Sequence, residues 1–303
     1  MNQERNSLMN QDQKIRVLII GASGMLGSTL FRTLSANENL NVFGTIRDSR
    51  VTRYFSQKLR DSLIPNISVE GESGLLTAFS IVKPDIVLNC VGIIKQLPNS
   101  HDHLTSLAIN ASLPHRLAKY SKTVGARFIH FSTDCVFSGK TGMYHENDFP
   151  DAYDLYGRTK LLGEVDYENT LTLRTSIIGH ELTSSKSLVD WFISQSIETK
   201  GYRKAIFSGL PTIEVARVIN DFVIPNSDLK GLYHLSVNPI NKYELLTLIA
   251  ETYKKDIHII PDDQVIIDRS LNSDRFRIAT EFEPKSWSEL IREMHDDYMS
   301  CQA

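Results

Sequence analysis

The chain has 303 residues, 41% of them hydrophobic and 23% charged, with a formal net charge of −3. That length suits one large α/β unit or two unequal domains, and the composition is that of a globular protein. The near-balanced charge gives no long-range attraction to nucleic acid or to an anionic membrane, and no apolar run reaches the roughly 18 residues that a bilayer span needs.

Residues 1–13 are polar, lack the apolar centre of a signal peptide and read as a disordered lead-in. A continuous apolar strand follows from Ile15 to Ile20, then a glycine-rich turn, then a helix with apolar Met25, Leu26, Leu30 and Leu34. Residues 41–46 read as a second strand and 66–70 as a short third. A helix over 74–83 precedes a buried strand over 85–92. Residues 104–125 predict a long helix that stops at Gly125, and 126–133 another buried strand. A helix over 156–165 and a strand over 171–178 follow. Strands alternating with helices predict an α/β, Rossmann-type doubly wound parallel sheet. Beyond Gly179 the pattern loosens. Helices are expected over 187–197, 212–224 and 241–255, and a strand over 231–236. We expect a dinucleotide-binding domain over 14–179 and a smaller α/β substrate-binding domain over 180–303, with some segments returning to the first sheet.

Gly21, Gly24 and Gly27 form G-x-x-G-x-x-G between the first strand and helix. Such a turn brings backbone N–H groups at a helix N-terminus against a pyrophosphate, so Gly21, Ser23, Gly24, Met25, Leu26 and Gly27 are candidate dinucleotide contacts. A cofactor lacking the 2′-phosphate meets an Asp or Glu about 20 residues further on. Arg47 stands there, and a guanidinium suits a 2′-phosphate, which favours NADPH, with NADH the alternative because Asp48 is adjacent. Asn89, Cys90, Val91 and Gly92, at a strand's C-terminal end, are expected to line the cofactor, and Thr175 to approach the nicotinamide.

Tyr156 and Lys160 are four residues apart and share a helix face. An ammonium beside a phenol lowers its pKa from near 10. Thr133, at the end of its strand and 23 residues before Tyr156, can hold a substrate oxygen beside that phenol. The three groups together would protonate a carbonyl oxygen while hydride attacks its carbon.

With the glycine turn, the stretches STDCVFSG (132–139), YGRTK (156–160), TLRTSIIG (172–179) and RSLNS (269–273) resemble the extended short-chain dehydrogenase/reductases, and within them the dTDP-4-dehydrorhamnose reductase family. The resemblance implies catalytic roles for Thr133, Tyr156 and Lys160, a supporting role for Asn110, and a sugar-nucleotide substrate contacted by Thr133, Asp134, Arg269 and Asn272. It implies NADPH-dependent reduction of a C4 keto group in a 4-keto-6-deoxy sugar, feeding surface polysaccharide synthesis, and is compatible with a homodimer. A UDP-linked 2-acetamido sugar, an epimerase, and a non-catalytic NADP-binding regulator are the alternatives. Where the related dehydratases carry a second carboxylate after the Asp, this chain has Cys135, and a thiol with pKa near 8.5 is a poor substitute. Lys95 and Arg174 are each readable either as ligand contacts or as ordinary surface or ion-pair residues. The three cysteines and nine histidines show no metal spacing, and a reducing, cytoplasmic setting fits.

Overall fold

The computed structural model describes residues 14–94 and 101–302. The lead-in and Lys95 lie outside them. In chain order the strands are β1 (Ile15–Ile20), β2 (Leu40–Thr45), β3 (Leu63–Ile64), β4 (Ile86–Asn89), β5 (Arg127–Thr133), β6 (Thr170–Thr175), β7 (Ile177–Ile178), β8 (Glu198–Tyr202), β9 (Ala205–Phe207), β10 (Leu210–Pro211), β11 (Gly231–His234), β12 (Ile240–Asn241), β13 (His258–Asp262) and β14 (Ile267–Asp268). The helices are α1 (Met25–Ser35), α2 (Gln57–Arg60), α3 (Glu72–Val82), α4 (His103–Ser106), α5 (Leu113–Thr123), α6 (Leu155–Leu162), α7 (Leu188–Ser194), α8 (Thr212–Val218), α9 (Lys242–Thr252), α10 (Asp274–Thr280) and α11 (Trp287–Gln302).

Seven parallel strands form the main sheet in the order β11-β6-β5-β4-β1-β2-β3. Alternation along β1 sends Val17 and Ile19 into the core on one face, and Leu18 and Ile20 into the core on the other. Burial on both faces is why β1 has no polar alternation. The chain starts in the middle of the sheet, winds outward through β2 and β3, then returns to β4 on the other side of β1. That reversal opens a crevice at the C-terminal ends of the strands, where ligands of such sheets bind.

Several segments differ from the sequence expectation. Residues 66–70 are not a strand. Pro65 lacks an amide donor, and Asn66 adopts φ 61°, so the third strand is the two residues just before them. The expected strand over 171–178 is divided, because Ser176 lies outside the ladder and Ile177–Ile178 pair with β10 instead. The helix over 104–125 is one run with a wider π-type turn at Leu107–Ser112. The helix expected over 187–197 is shorter, as Leu188–Ser194, and the chain turns extended again at Gln195.

Beyond Gly179 the chain crosses between two bodies. β11 adds to the main sheet beside β6, and α8 packs against α1 through Thr29 Oγ1 and Thr212 Oγ1, 3.1 Å apart. A second core gathers Phe192, Phe207, Leu245, Ile249 and Ile291 among α7, α9, α11 and the small sheets. Among the described residues no helix is long and apolar enough to cross a membrane.

Close packing sets the glycine turn. A Cβ at Gly27 would fall inside the Gly21 carbonyl, so α1 can lie this near β1 only without a side chain there. Gly27→Ala is therefore expected to destabilise the fold by about 1–3 kcal/mol, the usual range for overpacking. Urea unfolding of the variant against wild type measures the loss.

Candidate active site

α1 begins at Gly24 with no side chain capping it. Its first-turn amides therefore lack intrahelical partners, and Met25 and Leu26 line a cleft of about 610 Å³. Gly24, Asn89, Cys90, Val91, Gly92, Thr133, Asp134, Tyr156, Lys160, Thr175 and Arg269 share that cleft. An open, uncapped helix start facing a long crevice fits the pyrophosphate of a dinucleotide. Gly21, Ser23 and Gly27 form the turn around Gly24 without lining the cleft.

Arg47 is exposed just beyond β2, outside the cleft lining. The neighbouring Asp48 accepts hydrogen bonds from the Arg50 amide at 2.9 Å and from its guanidinium at 2.6 Å, which pull the carboxyl down to about 2. Asn272 is not in the cleft. Its side chain bonds Asp274 at the start of α10, and its amide donates to the Tyr144 carbonyl at 2.8 Å.

The reactive groups meet where β5 ends. Thr133 caps a short 3-10 turn, its Oγ1 accepting from the Cys135 amide at 3.1 Å and donating to Asp134 Oδ1 at 3.1 Å. The Tyr156 phenol hydrogen-bonds the Thr133 side chain. Asp154 starts α6 by accepting from the Gly157 amide at 2.9 Å. A Cβ at Gly157 would overlap the Cys135 carbonyl, so α6 seats directly on the turn that carries Thr133. Lys160, one helical turn on, is buried and donates to the Phe131 carbonyl at 2.7 Å.

The electrostatics reverse one expectation. The phenol is not acidified here. Burial first, then the nearby Cys135 and Asp134, push Tyr156 well above its ordinary value, with the Thr133 hydrogen bond opposing. Lys160 is itself pulled down to about 8 by burial, against a favourable field from Glu164. Burial also raises the Asp134 carboxyl, despite hydrogen bonds from Cys135 and Thr133 and the fields of Arg269 and Lys242.

Lys242, at the first position of α9, lines the cleft facing Asp134 and was not singled out from sequence. The Asn241/Glu244 capping pattern marks the helix start, but nothing local shows what its first residue faces. Glu181, Lys186, Ile206 and Phe207 also line the wall and were likewise missed. Asn110 sits behind the site: its amide oxygen accepts from the Ile93 N–H at 2.8 Å and its amide nitrogen donates to the Ile93 carbonyl at 3.0 Å. Arg174 is an ion-pair residue. It is 3% exposed and reaches Glu164 through two 2.8 Å hydrogen bonds, while Ser132 donates to the same carboxylate. Among the described residues no group of three or more His, Cys, Asp or Glu side chains is placed to hold a metal ion.

A doubly wound sheet, a glycine turn opening on the cleft, and Thr133, Tyr156 and Lys160 at its centre define an extended short-chain dehydrogenase/reductase fold. A family model described as "RmlD substrate binding domain" matches residues 15–299, and the chain belongs to that family. It is 27% identical over 261 residues to "Methionine adenosyltransferase 2 subunit beta" of Danio rerio, covering 81% of this chain and 76% of that one. It is 25% identical over 299 residues to "Spore coat polysaccharide biosynthesis protein SpsK" of Bacillus subtilis (strain 168), covering 92% and 96%. The structure of a dTDP-4-dehydrorhamnose reductase from Bacillus anthracis str. Ames in complex with NADP superposes with a TM-score of 0.77 at 22% identity, covering 94% of this chain and all of that one.

Two outcomes follow from the buried charges. Lys160 holds its proton less tightly when folded, about 8 against an ordinary 10.5, so it costs stability below about pH 8, and the cost fades as pH rises toward 10.5. Lys160→Met should therefore raise the denaturation midpoint most near pH 7 and by less near pH 10, in parallel urea titrations. Glu164→Gln, by contrast, leaves the Arg174 guanidinium buried without its counter-charge, and should lower stability by about 3–5 kcal/mol in the same assay.

Proposed function

We propose that this protein is an NADPH-dependent oxidoreductase that reduces the C4 keto group of a nucleotide-activated 4-keto-6-deoxy sugar. The observation that carries the reading is the joining of Thr133, Tyr156 and Lys160 in one cleft with the open start of α1. A bound nicotinamide would supply the hydride. The Thr133 hydroxyl orients the substrate oxygen, and Tyr156 delivers the proton. The raised phenol suits that direction: it stays protonated at neutral pH, the form a proton donor needs.

Exposed Arg47 supports NADPH, because Asp48, the carboxylate that would otherwise meet a ribose hydroxyl, is engaged by Arg50. NADH is the second cofactor. Lys242, Lys186 and Arg269 at the cleft give cations to a nucleotide diphosphate. The likeness to the dehydrorhamnose reductase and the spore-coat protein favours a dTDP-linked sugar bound for surface polysaccharide; a UDP-linked 2-acetamido sugar is the alternative.

A second reading has its own support. The likeness to methionine adenosyltransferase 2 subunit beta favours a dinucleotide-binding regulatory subunit. NADPH consumption with dTDP- and UDP-linked 4-keto-6-deoxy sugars separates the two. The reductase reading predicts turnover with one panel, and a fall of about 10²–10⁴-fold in kcat for Tyr156→Phe with NADPH affinity unchanged. NADPH binding without turnover of any keto sugar would favour the regulator instead.

A further inference from the structure

Glu181, Lys186, Ser187 and Leu188 reach the cleft from a single segment between β7 and α7. This segment begins and ends on one carboxylate oxygen. Asp190 Oδ2 accepts from the Glu181 amide at 2.8 Å and from the Ser187 hydroxyl at 3.0 Å, and that hydroxyl accepts from the Asp190 amide at 3.1 Å. Inside the loop so closed, Glu181 Oε2 accepts from the Ser184 hydroxyl at 2.6 Å and from the Lys186 amide at 2.7 Å. The other carboxylate oxygen, Asp190 Oδ1, lies 2.5 Å from His180 Nδ1. A carboxylate only accepts, so Nδ1 carries the hydrogen, and Nε2 of the neutral ring accepts from the Tyr253 hydroxyl 2.8 Å away. The His180 ring also stacks on Tyr298 of α11, with centroids 3.8 Å apart. Leu182 packs against the main core, but Thr183, Ser184, Ser185 and Lys186 are exposed. His180 thus joins the loop to the second body.

The loop has a reason to move. It carries Lys186 to a cleft that Lys242 and Arg269 also line, and like charges in one crevice repel. Lys242 is the first residue of α9 and Tyr253 follows its last, so the His180–Tyr253 bond ties the Lys186 loop to the helix that carries a second cation. We propose that His180 and Asp190 are positioning residues for the diphosphate of the sugar nucleotide, holding the Lys186 loop against the cleft before the ligand arrives. The inference rests on the sugar-nucleotide reading, which puts that diphosphate among these cations. Neither His180 nor Asp190 lines the cleft, so each acts through the loop. With the brace intact, the loop is ordered by folding rather than by binding. Loss of the brace therefore weakens the hold on the diphosphate and spares both the chemistry at Thr133 and Tyr156 and the dinucleotide end at α1.

The test is calorimetric binding of dTDP and of UDP to the full chain in the presence of NADP. Asp190→Ala and His180→Ala should each weaken the diphosphate Kd about 10-fold, the cost of ordering a side chain or two on binding. Tyr253→Phe, which removes one hydroxyl and keeps the ring, should weaken it about threefold. Asp190→Asn, which keeps an acceptor for Glu181 and Ser187, should fall between Asp190→Ala and wild type. The double variant His180→Ala/Asp190→Ala should lose no more than either single variant, because one brace is broken once. KM for the keto sugar should rise in step, while kcat and NADPH affinity stay within about twofold of wild type. The sign separates the brace from a simple field effect, since removing a carboxylate would tighten the binding of an anion. Tighter or unchanged diphosphate binding, additive losses in the double variant, or an equal loss of NADPH affinity would each overturn the brace. Wild type that binds a diphosphate but reduces no keto sugar would overturn the reductase reading alone, because the Kd series decides the brace without turnover. Wild type that binds neither diphosphate would overturn the brace together with the sugar-nucleotide reading beneath it.

Discussion

The close seating of α6 on the turn after β5 is the constraint on which the site depends. Gly157 meets the Cys135 carbonyl with no room for a side chain, and that contact brings the Tyr156 phenol onto the Thr133 hydroxyl. The turn is held in place by Thr133 itself, which caps it. The helix is held by the Asp154 cap and, at its far end, by Glu164, whose carboxylate ties Ser132 of β5 to Arg174 of β6. A proton donor is useful only if its oxygen is placed to within a fraction of an ångström. Here the placement comes from backbone contact and buried ion pairing rather than from a loop.

The same burial that positions these groups sets their proton affinities. A surface lysine four residues from a tyrosine would lower the phenol's pKa. Inside this cleft the lysine is desolvated and bonded to a main-chain carbonyl, while the phenol faces Cys135 and Asp134. Desolvation therefore dominates the charge of the partner. The result is a phenol whose proton affinity burial raises more than the neighbouring lysine lowers it.

The main sheet was legible because β1, β4 and β5 are buried on both faces over most of their length and so read as mainly apolar runs without polar alternation. The glycine turn and the Tyr156/Lys160 pair were legible because their meaning lies in local spacing. The third strand was misplaced because it has only two residues, and a stronger apolar cue lay beyond Pro65 in a segment that Asn66 turns aside. The small sheets escaped notice because their strands run from two to five residues, and β8, ETKGY, carries no apolar alternation. Lys242 and Lys186 could not be found locally, since only the packing of the later chain brings them to Asp134 and to the cleft. Asn272 shows the converse: a polar residue in a motif-like stretch whose hydrogen bonds are used to shape its own loop.

The most direct test of the central idea, a proton-bearing phenol beside a nicotinamide, is a crystal structure with NADP bound. The account predicts the pyrophosphate against the first turn of α1 and the nicotinamide in the cleft walled by Thr133, Tyr156 and Thr175, with the phenol still within hydrogen-bond reach of Thr133. A dinucleotide bound elsewhere, or a Tyr156 ring turned out of the cleft, would contradict it.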